Sequence, residues 1–194
     1  MGKLSVLVSD FDDTLFFNKD AIISAAKDLY DTAFKEKAEN YCGILNNLEI
    51  IIGEGKIPKD FNRKWKDNLY TLAYTTYSSR LLPNQPLIDY LKENIKEGNE
   101  LIIMSARGEE FRKETEELLN KYGLTYKQVI LPENHELRDE EWKKLETEKL
   151  SKRYDHLVLF EDKEENIRYI IQNLKPENVD FYLVDHSILK YIGH

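Results

Sequence analysis

A short apolar segment near the start of the chain ends abruptly in three acidic residues. It runs from Leu4 to Leu15 and reads LSVLVSDFDDTL, with Asp10, Asp12 and Asp13 following the apolar run. A continuous run of aliphatic and β-branched residues is typical of a strand buried on both faces of a parallel sheet. In open α/β sheets, ligands bind outside the carboxyl ends of such strands. The segment therefore predicts a buried strand that carries acids into a functional site.

Two of these acids are predicted to converge on one point. Side chains alternate along an extended chain, so Asp10 and Asp12 face one way and Asp13 the other if strand geometry continues that far. Adjacent carboxylates repel each other, and a divalent cation relieves that repulsion while leaving one oxygen able to attack an electrophile. Carboxylates can form aspartyl phosphates in this way. The alternative is an N-capped turn, because Asp-Asp-Thr is also favourable turn and cap chemistry.

Composition bounds both the size and the partners of the protein. With 194 residues, of which 41% are hydrophobic, the chain can bury one sizeable core and carry a smaller inserted unit. The net charge of −8 arises from interspersed acids and bases, so neither nucleic acid nor a membrane is an expected partner. A single cysteine, Cys42, excludes an intramolecular disulfide, and the sequence shows neither a signal-peptide pattern nor a membrane-length apolar run. We therefore expect a soluble, cytoplasmic protein.

After Leu15 the hydrophobic pattern changes from that of a strand to that of helices. Apolar residues recur at helical spacing over 22–34, and further helical segments follow at 44–52 and at about 61–80. The stretch 18–80 is therefore predicted to be wholly helical. The predicted domains are a core formed by 1–17 and 81–194 and a helical cap formed by 18–80.

An aromatic stripe marks the third helical segment. Tyr70, Tyr74 and Tyr77 lie at positions i, i+4 and i+7, which places them on one face of a helix. A packing stripe is the favoured interpretation, and an aromatic wall that faces a substrate is the alternative. Because the helical unit 18–80 follows directly after the first strand, it is also predicted to form a lid over the acids, whose inward face, including Trp65, selects the substrate. The alternative is a dimerisation surface or a packing shell.

From Leu82 onwards, strand and helix patterns alternate. The strand candidates read ELIIMS, YKQVIL, HLVLFED and VDFYLVD, and helical segments separate them. This alternation predicts an α/β fold with a Rossmann-like parallel sheet of about five strands and helices on both faces.

Three of the strand candidates end in oxygen-bearing side chains. These are Asp10 and Asp12 on the first strand, Ser105 on the second, and Glu161 and Asp162 on the fourth. The carboxyl ends of parallel strands lie along one edge of a sheet, so these side chains are expected to meet. Acids with a hydroxyl suit a hard, oxygen-ligated cation such as Mg²⁺, with a phosphate beside it. The histidines lack ligand spacing, so zinc is not expected.

The order and spacing of these segments resemble the haloacid dehalogenase-like (HAD) superfamily of phosphohydrolases and phosphotransferases. DFDDTL is similar to the first motif of that family, DxDx(T/V)(L/V). LIIMSARG resembles the second motif and LVLFEDKEEN the fourth, each an apolar strand that ends in polar residues. The inserted stretch 18–80 resembles the helical cap of the capped phosphatases in the family.

The resemblance implies catalytic roles for residues of the first two motifs. Asp10 would be the nucleophile that becomes phosphorylated. Asp12 would protonate the leaving group and then activate water. Ser105 would donate to the phosphoryl oxygens together with the Ala106 amide, and Arg107 is a further implied substrate-binding residue.

The resemblance also implies a Mg²⁺ site. Asp10, Asp162 and the Asp12 carbonyl would be ligands, and Glu161 would bind directly or through water. Asn166 stands four residues after Asp162 and would fill the second acidic position of the motif through water or through the nearby loop.

The third motif of the family is only a lysine upstream of the fourth, and the sequence offers four candidates. These are Lys143, Lys144, Lys149 and Lys152. The family lysine lies near the start of the helix before the fourth-motif strand, which favours the first two. Trp142 precedes Lys143 and resembles an aromatic–lysine pair of some members, so Lys143 is the predicted catalytic lysine and Lys144 a predicted substrate-binding residue.

The implied function is a Mg²⁺-dependent phosphatase that hydrolyses a small phosphorylated metabolite through an aspartyl-phosphate. Asp12 argues against a dehalogenase, because a departing halide needs no proton whereas an alkoxide does. A phosphomutase or phosphotransferase stays open as an alternative. So does a non-catalytic module that binds a phosphate ligand or a protein.

Overall fold

The computed structural model describes residues 5–36, 41–134, 136–186 and 188–193. Leu4, where the predicted first strand begins, lies outside them. The strands are β1 (Val6–Ser9), β2 (Phe16–Phe17), β3 (Leu82–Pro83), β4 (Glu100–Met104), β5 (Gln128–Ile130), β6 (Leu157–Glu161), β7 (Val179–Asp185) and β8 (Ile188–Gly193). The α-helices are α1 (Lys19–Glu36), α2 (Tyr41–Glu54), α3 (Arg63–Tyr74), α4 (Gln85–Lys96), α5 (Arg112–Lys121), α6 (Asp139–Arg153) and α7 (Glu164–Leu174), with 3₁₀ turns at Ser78–Arg80 and Glu109–Phe111.

The chain divides into two compact units. One is formed by residues 1–16 and 83–194, and the other by residues 17–82. In the smaller unit α1 packs against α2 and α3, and its alanines at positions 25, 26 and 33 are fully buried. Whether this unit acts as a cap stays a prediction.

A six-stranded sheet forms the centre of the larger unit, in the order β5-β4-β1-β6-β7-β8. β1 lies between β4 and β6 and is parallel to both, with Val8 opposite Ile102 on one side and Leu159 on the other. β5 and β7 extend the parallel arrangement on either side. The predicted α/β, Rossmann-like parallel sheet is therefore confirmed.

The sixth strand was not predicted. β8 runs antiparallel to β7, with Ile188 opposite Asp185, and His186 after β7 adopts φ of +54°. Ile188 and Tyr191 on this strand are exposed, because β8 lies at the edge of the sheet. The residues of β8 are exposed or only partly buried, so no run of buried hydrophobic positions marks this edge strand in the sequence.

The continuous apolar sequence of β1 has a simple structural reason. All four of its residues are buried, and Val6 and Val8 pack in one cluster with Leu159, Ile167 and Phe181. Burial of each such aliphatic side chain contributes roughly 1.5–3 kcal/mol relative to exposure. The end of β1 is therefore a rigid point from which the following acids emerge.

The third predicted helix is shorter than the sequence indicated. α3 ends at Tyr74, where the Thr75 amide donates to the Thr71 carbonyl and its hydroxyl bonds to the same oxygen. Four of the five residues after Tyr74 are threonines or serines, which favour turns over helix interiors because their hydroxyls compete for backbone groups. Among the described helices, none has the length and apolar character that a membrane crossing requires.

Candidate active site

Asp10 occupies the carboxyl end of β1. Its amide donates to the Phe160 carbonyl at 2.9 Å, so the ladder between β1 and β6 extends as far as this residue. The chain then turns back, because the amides of Leu15 and Phe16 both donate to the Phe11 carbonyl at 3.0 Å. Strand geometry therefore stops before Asp12, and the predicted alternation of the three acids does not apply beyond Asp10.

Asp13 adopts a left-handed backbone conformation within this turn, with φ of +58°. Aspartate tolerates this region better than most residues, which explains an acid here by turn chemistry. Its side chain is exposed, whereas Thr14 is fully buried and donates to Asp162 Oδ1 at 3.2 Å. The turn interpretation of Asp-Asp-Thr is thus correct for Asp13, and it coexists with a site at Asp10.

Three carboxylates converge at the edge of the sheet. Asp10, Glu161 and Asp162 each offer an oxygen, and these oxygens all lie within 4.8 Å of one another. Asp10 and Glu161 are almost fully buried. The carboxylate of Asp12 is not part of this group. This does not conflict with the family resemblance, which implies only the main-chain carbonyl of Asp12 as a metal ligand.

Lys143 is the cation at the centre of this cluster. Its Nζ lies 2.7 Å from Glu161 Oε2, 3.2 Å from Asp10 Oδ2 and 3.6 Å from Asp139 Oδ1, and the residue is only 1% exposed. Lys143 shares the buried face of α6 with Thr147 and Leu150, at helical spacing. A lysine is almost never fully buried without partners, and here it has three acids.

The other three candidate lysines are directed elsewhere. Lys144 and Lys152 both pair with Glu148, at 2.8 and 2.7 Å, and Lys149 pairs with Glu146 at 2.6 Å. Each residue of a helix is rotated by about 100° from the one before it, which takes Lys144 away from the acids that Lys143 contacts. The structure therefore does not bring the predicted substrate-binding Lys144 to the acid cluster.

The cluster carries an excess of negative charge. Burial raises the pKa of Asp10 well above its usual range, and the charge of Lys143 offsets only part of this effect. Burial, followed by repulsion from Glu161, likewise raises the pKa of Asp162 to about 7. The pKa of Lys143 is raised well above its usual range, because the carboxylates around it outweigh the opposing effect of burial. Lys143 and Lys163 do not balance the four acids Asp10, Asp139, Glu161 and Asp162. A bound cation would relieve this excess of negative charge.

Glu161 is held by a network that fixes both of its oxygens. Oε2 accepts from Lys143, while Oε1 accepts from the Lys163 amide at 3.1 Å and from Asn166 Nδ2 at 3.2 Å. Asn166 also contacts Asp139 at 3.3 Å. The side chain of Asn166, whose role the sequence left open, thus orients two carboxylates of the site.

Asp139 is a site residue that sequence reasoning missed. Its Oδ2 accepts from Lys163 Nζ at 3.0 Å, and its other oxygen faces Lys143. Burial opposes the charged form, but Lys143 and Lys163 outweigh it and lower the pKa of Asp139. A usable signal was present, because Asp139 precedes Lys143 by four residues and therefore lies on the same helix face.

Ser105 follows β4, the strand beside β1. Its amide donates to the Ile130 carbonyl at 3.1 Å, and the residue is almost fully buried. In the parallel register Ser9 lies opposite Ile103, so Ser105 ends its strand on the same edge of the sheet as Asp10. Ala106, partly buried, comes next in the loop, and the Arg107 amide lies 3.3 Å from Ser105 Oγ.

Arg107 binds Asp12 through two hydrogen bonds. Nε and Nη2 donate to the two carboxylate oxygens, each at 2.7 Å. The sequence predicted both residues for the site but not this pair. Contacts between side chains 95 positions apart depend on the packing of separate elements, and no local pattern encodes them.

No protein-family model and no curated protein matches the sequence. Solved structures nevertheless resemble the fold over nearly the whole chain. A HAD hydrolase of family IA, variant 3, from Entamoeba histolytica has a TM-score of 0.59 at 16% identity, with 95% of this chain and 86% of that chain covered.

Two further structures show the same likeness. A candidate phosphatase from Clostridium difficile has a TM-score of 0.61 at 15% identity, with 97% of this chain and 88% of that chain covered. A candidate beta-phosphoglucomutase from Thermotoga maritima has a TM-score of 0.54 at 18% identity, with 95% and 87% covered. At these identities, the similarity establishes a shared fold.

Proposed function

The chain has the fold of the haloacid dehalogenase-like hydrolases, and on this premise we propose that it is a Mg²⁺-dependent phosphatase acting on a small phosphomonoester. One observation carries the proposal. The Asp10 carboxylate stands at the end of a buried strand, 3.2 Å from a buried lysine and within 4.8 Å of two further acids. Clustered acids around a buried lysine suit phosphoryl transfer, in which charge stabilisation supplies most of the rate.

The side chains at this point fit a hard cation. The converging donors are carboxylate oxygens, which Mg²⁺ prefers. Asp10 and Asp162 would hold it together with the Asp12 carbonyl, while Glu161, whose oxygens already accept from Lys143, Lys163 and Asn166, would act through water. Bound there, Mg²⁺ would neutralise negative charge on the phosphoryl oxygens.

Four residues of the site have separate roles in the two steps of hydrolysis. Asp12 enters the step protonated, on an oxygen lone pair that Arg107 does not use, since the two hydrogen bonds from Arg107 take only two of about four acceptor sites of the carboxyl group. Asp10 attacks phosphorus, and the bond to the alcohol oxygen breaks while Asp12 supplies that proton to the alcohol oxygen. Lys143 and Ser105 stabilise charge on the phosphoryl group in transit. Water next attacks the aspartyl-phosphate, Asp12 takes its proton, and phosphate and free Asp10 are regenerated.

Phosphate release from a panel of phosphomonoesters tests this proposal directly. We expect turnover of at least one sugar, nucleoside or small-acid phosphate in the presence of Mg²⁺, and its loss when the metal is chelated. Activity that survives chelation, or none on any member, would contradict the proposal. A small phosphorylated metabolite is the proposed partner, since the net charge of −8 argues against a polyanion.

A phosphomutase is the second candidate function, favoured by the likeness to the candidate beta-phosphoglucomutase. It would use the same residues up to the phosphorylated Asp10 and then transfer the phosphoryl group to a second hydroxyl. Product analysis separates the two functions, because a mutase yields an isomeric phosphate ester and little inorganic phosphate.

Mg²⁺ is expected to raise the melting temperature of the protein. A ligand that binds only the folded state stabilises it by about 2.7 kcal/mol when present at 100 times its dissociation constant. Asp162→Ala should remove most of the shift, because it deletes one of the converging carboxylates. Thermal denaturation with and without Mg²⁺ measures the effect.

Asp180→Ala is the matched control, since Asp180 pairs with His156 and Tyr191 and is not among the converging acids. It should keep the full Mg²⁺ shift even where its own melting temperature changes. An undiminished shift in Asp162→Ala would place the metal site elsewhere in the protein.

We further propose that the helical unit of residues 17–82 selects the substrate. Tyr74 is buried and its ring stacks at 5.5 Å on that of Tyr70, whereas Tyr77, the third residue of the predicted stripe, lies beyond the end of α3. Trp65 and Tyr70 are only partly buried and are the better candidates for substrate contact. Trp65→Ala and Tyr70→Ala should lower kcat/KM for the best panel substrate about tenfold more than for p-nitrophenyl phosphate, which has few groups to contact.

Phe34→Ala serves as the control, because Phe34 belongs to the same unit and is strongly exposed. It should leave the kinetics of both substrates unchanged. Equal losses on the two substrates in Trp65→Ala and Tyr70→Ala, with an unchanged oligomeric state by light scattering, would show that the unit does not select substrates.

A further inference from the structure

Arg107 donates one hydrogen bond to each oxygen of the Asp12 carboxyl group, which leaves a second acceptor site on each oxygen for a proton. The guanidinium is planar, and its Nε and Nη2 groups match the spacing of the two oxygens, each at 2.7 Å. A forked contact of this kind fixes the direction of a carboxylate, which a rotating ammonium group does not. The guanidinium of Arg107 therefore binds Asp12 in the structure, whereas the family resemblance had implied that Arg107 binds substrate.

The guanidinium is itself fixed by its surroundings. Its Cζ lies 4.3 Å from the centroid of the Phe11 ring, and its Nη1 lies 3.5 Å from Thr115 Oγ1. Thr115 is fully buried on α5, and its hydroxyl donates to the Phe111 carbonyl at 2.8 Å. Stacking on an aromatic face and contact with a buried hydroxyl restrict the rotamers of Arg107. The orientation of Asp12 is thereby tied to α5.

The two partners differ in their access to solvent. The side chain of Arg107 is 0% exposed, whereas that of Asp12 is 20% exposed. A molecule that arrives from solvent therefore meets the carboxylate, with the guanidinium lying behind it. This arrangement suits a group that supports Asp12 and does not suit one that reaches for a phosphate.

We propose that Arg107 is a positioning residue, which holds the Asp12 carboxylate in place for proton transfer and does not contact the phosphoryl group. The proposal rests on the proposed function, in which Asp12 gives a proton to the departing alcohol oxygen. In that function, Lys143 and Ser105, and not Arg107, stabilise the negative charge on the phosphoryl group. Removal of Arg107 should therefore slow protonation of the leaving group and leave the binding of the phosphoryl group intact.

Substrates that differ only in their leaving group test this role. For Arg107→Met, kcat/KM should fall about 10²-fold for an alkyl phosphomonoester, the order of a lost general acid, and only a few-fold for p-nitrophenyl phosphate. The reason is that p-nitrophenolate departs readily without a proton and an alkoxide does not. Because kcat/KM reports the steps up to alcohol release, slow hydrolysis of the aspartyl-phosphate does not hide the difference.

A second variant pair shows whether Arg107 acts through Asp12. In an Asp12→Asn background, the Arg107→Met change should add little to the loss on the alkyl substrate, because the group it positions is already gone. Arg107→Lys keeps the charge without the fork and should recover less than half of the lost activity on a logarithmic scale. If Arg107→Met does not fold, as judged by circular dichroism, kcat/KM for the alkyl phosphomonoester and for p-nitrophenyl phosphate is compared in Arg107→Lys instead.

Arg112→Met is the matched control. Arg112 belongs to the same region of the chain but pairs with Glu109 and Glu116 near the surface, and it should keep the leaving-group profile of the wild type. Equal losses on both substrates, a raised inhibition constant for inorganic phosphate, or no loss at all would overturn the positioning role. A wild-type protein without phosphatase activity would instead overturn the proposed function.

Discussion

Asp10→Asn is expected to abolish turnover while the protein remains folded. The substitution removes the nucleophile and one of the converging oxygens, and losses of at least about 10³-fold are usual when a covalent nucleophile is deleted. The asparagine side chain has nearly the same size, so the packing at the end of β1 is kept. Release of inorganic phosphate from the best panel substrate measures the loss.

The stability of Asp10→Asn should hold or rise above neutral pH in the absence of metal. Burial raises the pKa of Asp10, so ionisation of this group disfavours the folded state, and stability falls as pH rises towards the folded-state pKa. A neutral amide removes that dependence. The gain should therefore be largest at high pH and should disappear in acid, where Asp10 is protonated in the wild type.

Asp13→Asn is the control for this experiment. Asp13 is exposed and has a left-handed backbone conformation, which asparagine adopts easily. This variant should therefore keep both its fold and most of its turnover. Substantial turnover in Asp10→Asn would show that no aspartyl-phosphate forms on this residue. Formation of a covalent adduct in the wild type, trapped by acid quenching and absent in the variant, gives an independent measure.

The parts of the fold that the sequence predicted are those with a local signal. β1 is buried on both faces and reads as an unbroken apolar run, which is why its end at Asp10 could be identified. Lys143 was preferred to its neighbours from the family resemblance, and the structure places it against Asp10 and Glu161. The first prediction rested on the pattern of one strand, and the second on the position of the family lysine within one helix.

The parts that the sequence did not predict depend on contacts between elements. After the turn at Phe11, the Asp12 carboxylate binds Arg107 and is not among the three converging carboxylates, which a strand pattern could not show. The contacts of Asn166 with Glu161 and Asp139 depend on how α6 and α7 pack. Such arrangements place the charges of the site, so its electrostatics could be derived only from the structure.

Lys143→Met is expected to damage both stability and catalysis. The side chain is of similar length, but the substitution leaves Asp10 and Glu161 buried without their shared cation. Loss of one partner from a buried ion pair destabilises a protein by about 3–5 kcal/mol, because the remaining charge is uncompensated. Turnover should fall about 10²-fold or more, because the lysine no longer stabilises the negative charge of the phosphoryl group in the transition state.

The pH dependence of this variant distinguishes charge loss from a packing defect. Burial already raises the pKa of Asp10 and brings that of Asp162 to about 7, and without Lys143 both should rise further. A raised carboxyl pKa makes the folded state bind protons more tightly than the unfolded state, so stability is recovered as pH falls. Denaturant unfolding should therefore show a large deficit at pH 8 and a smaller one near pH 5.5. Lys144→Met, whose lysine contacts Glu148 on the adjacent face of α6, should show neither loss, and a deficit independent of pH in Lys143→Met would indicate a packing role for this lysine.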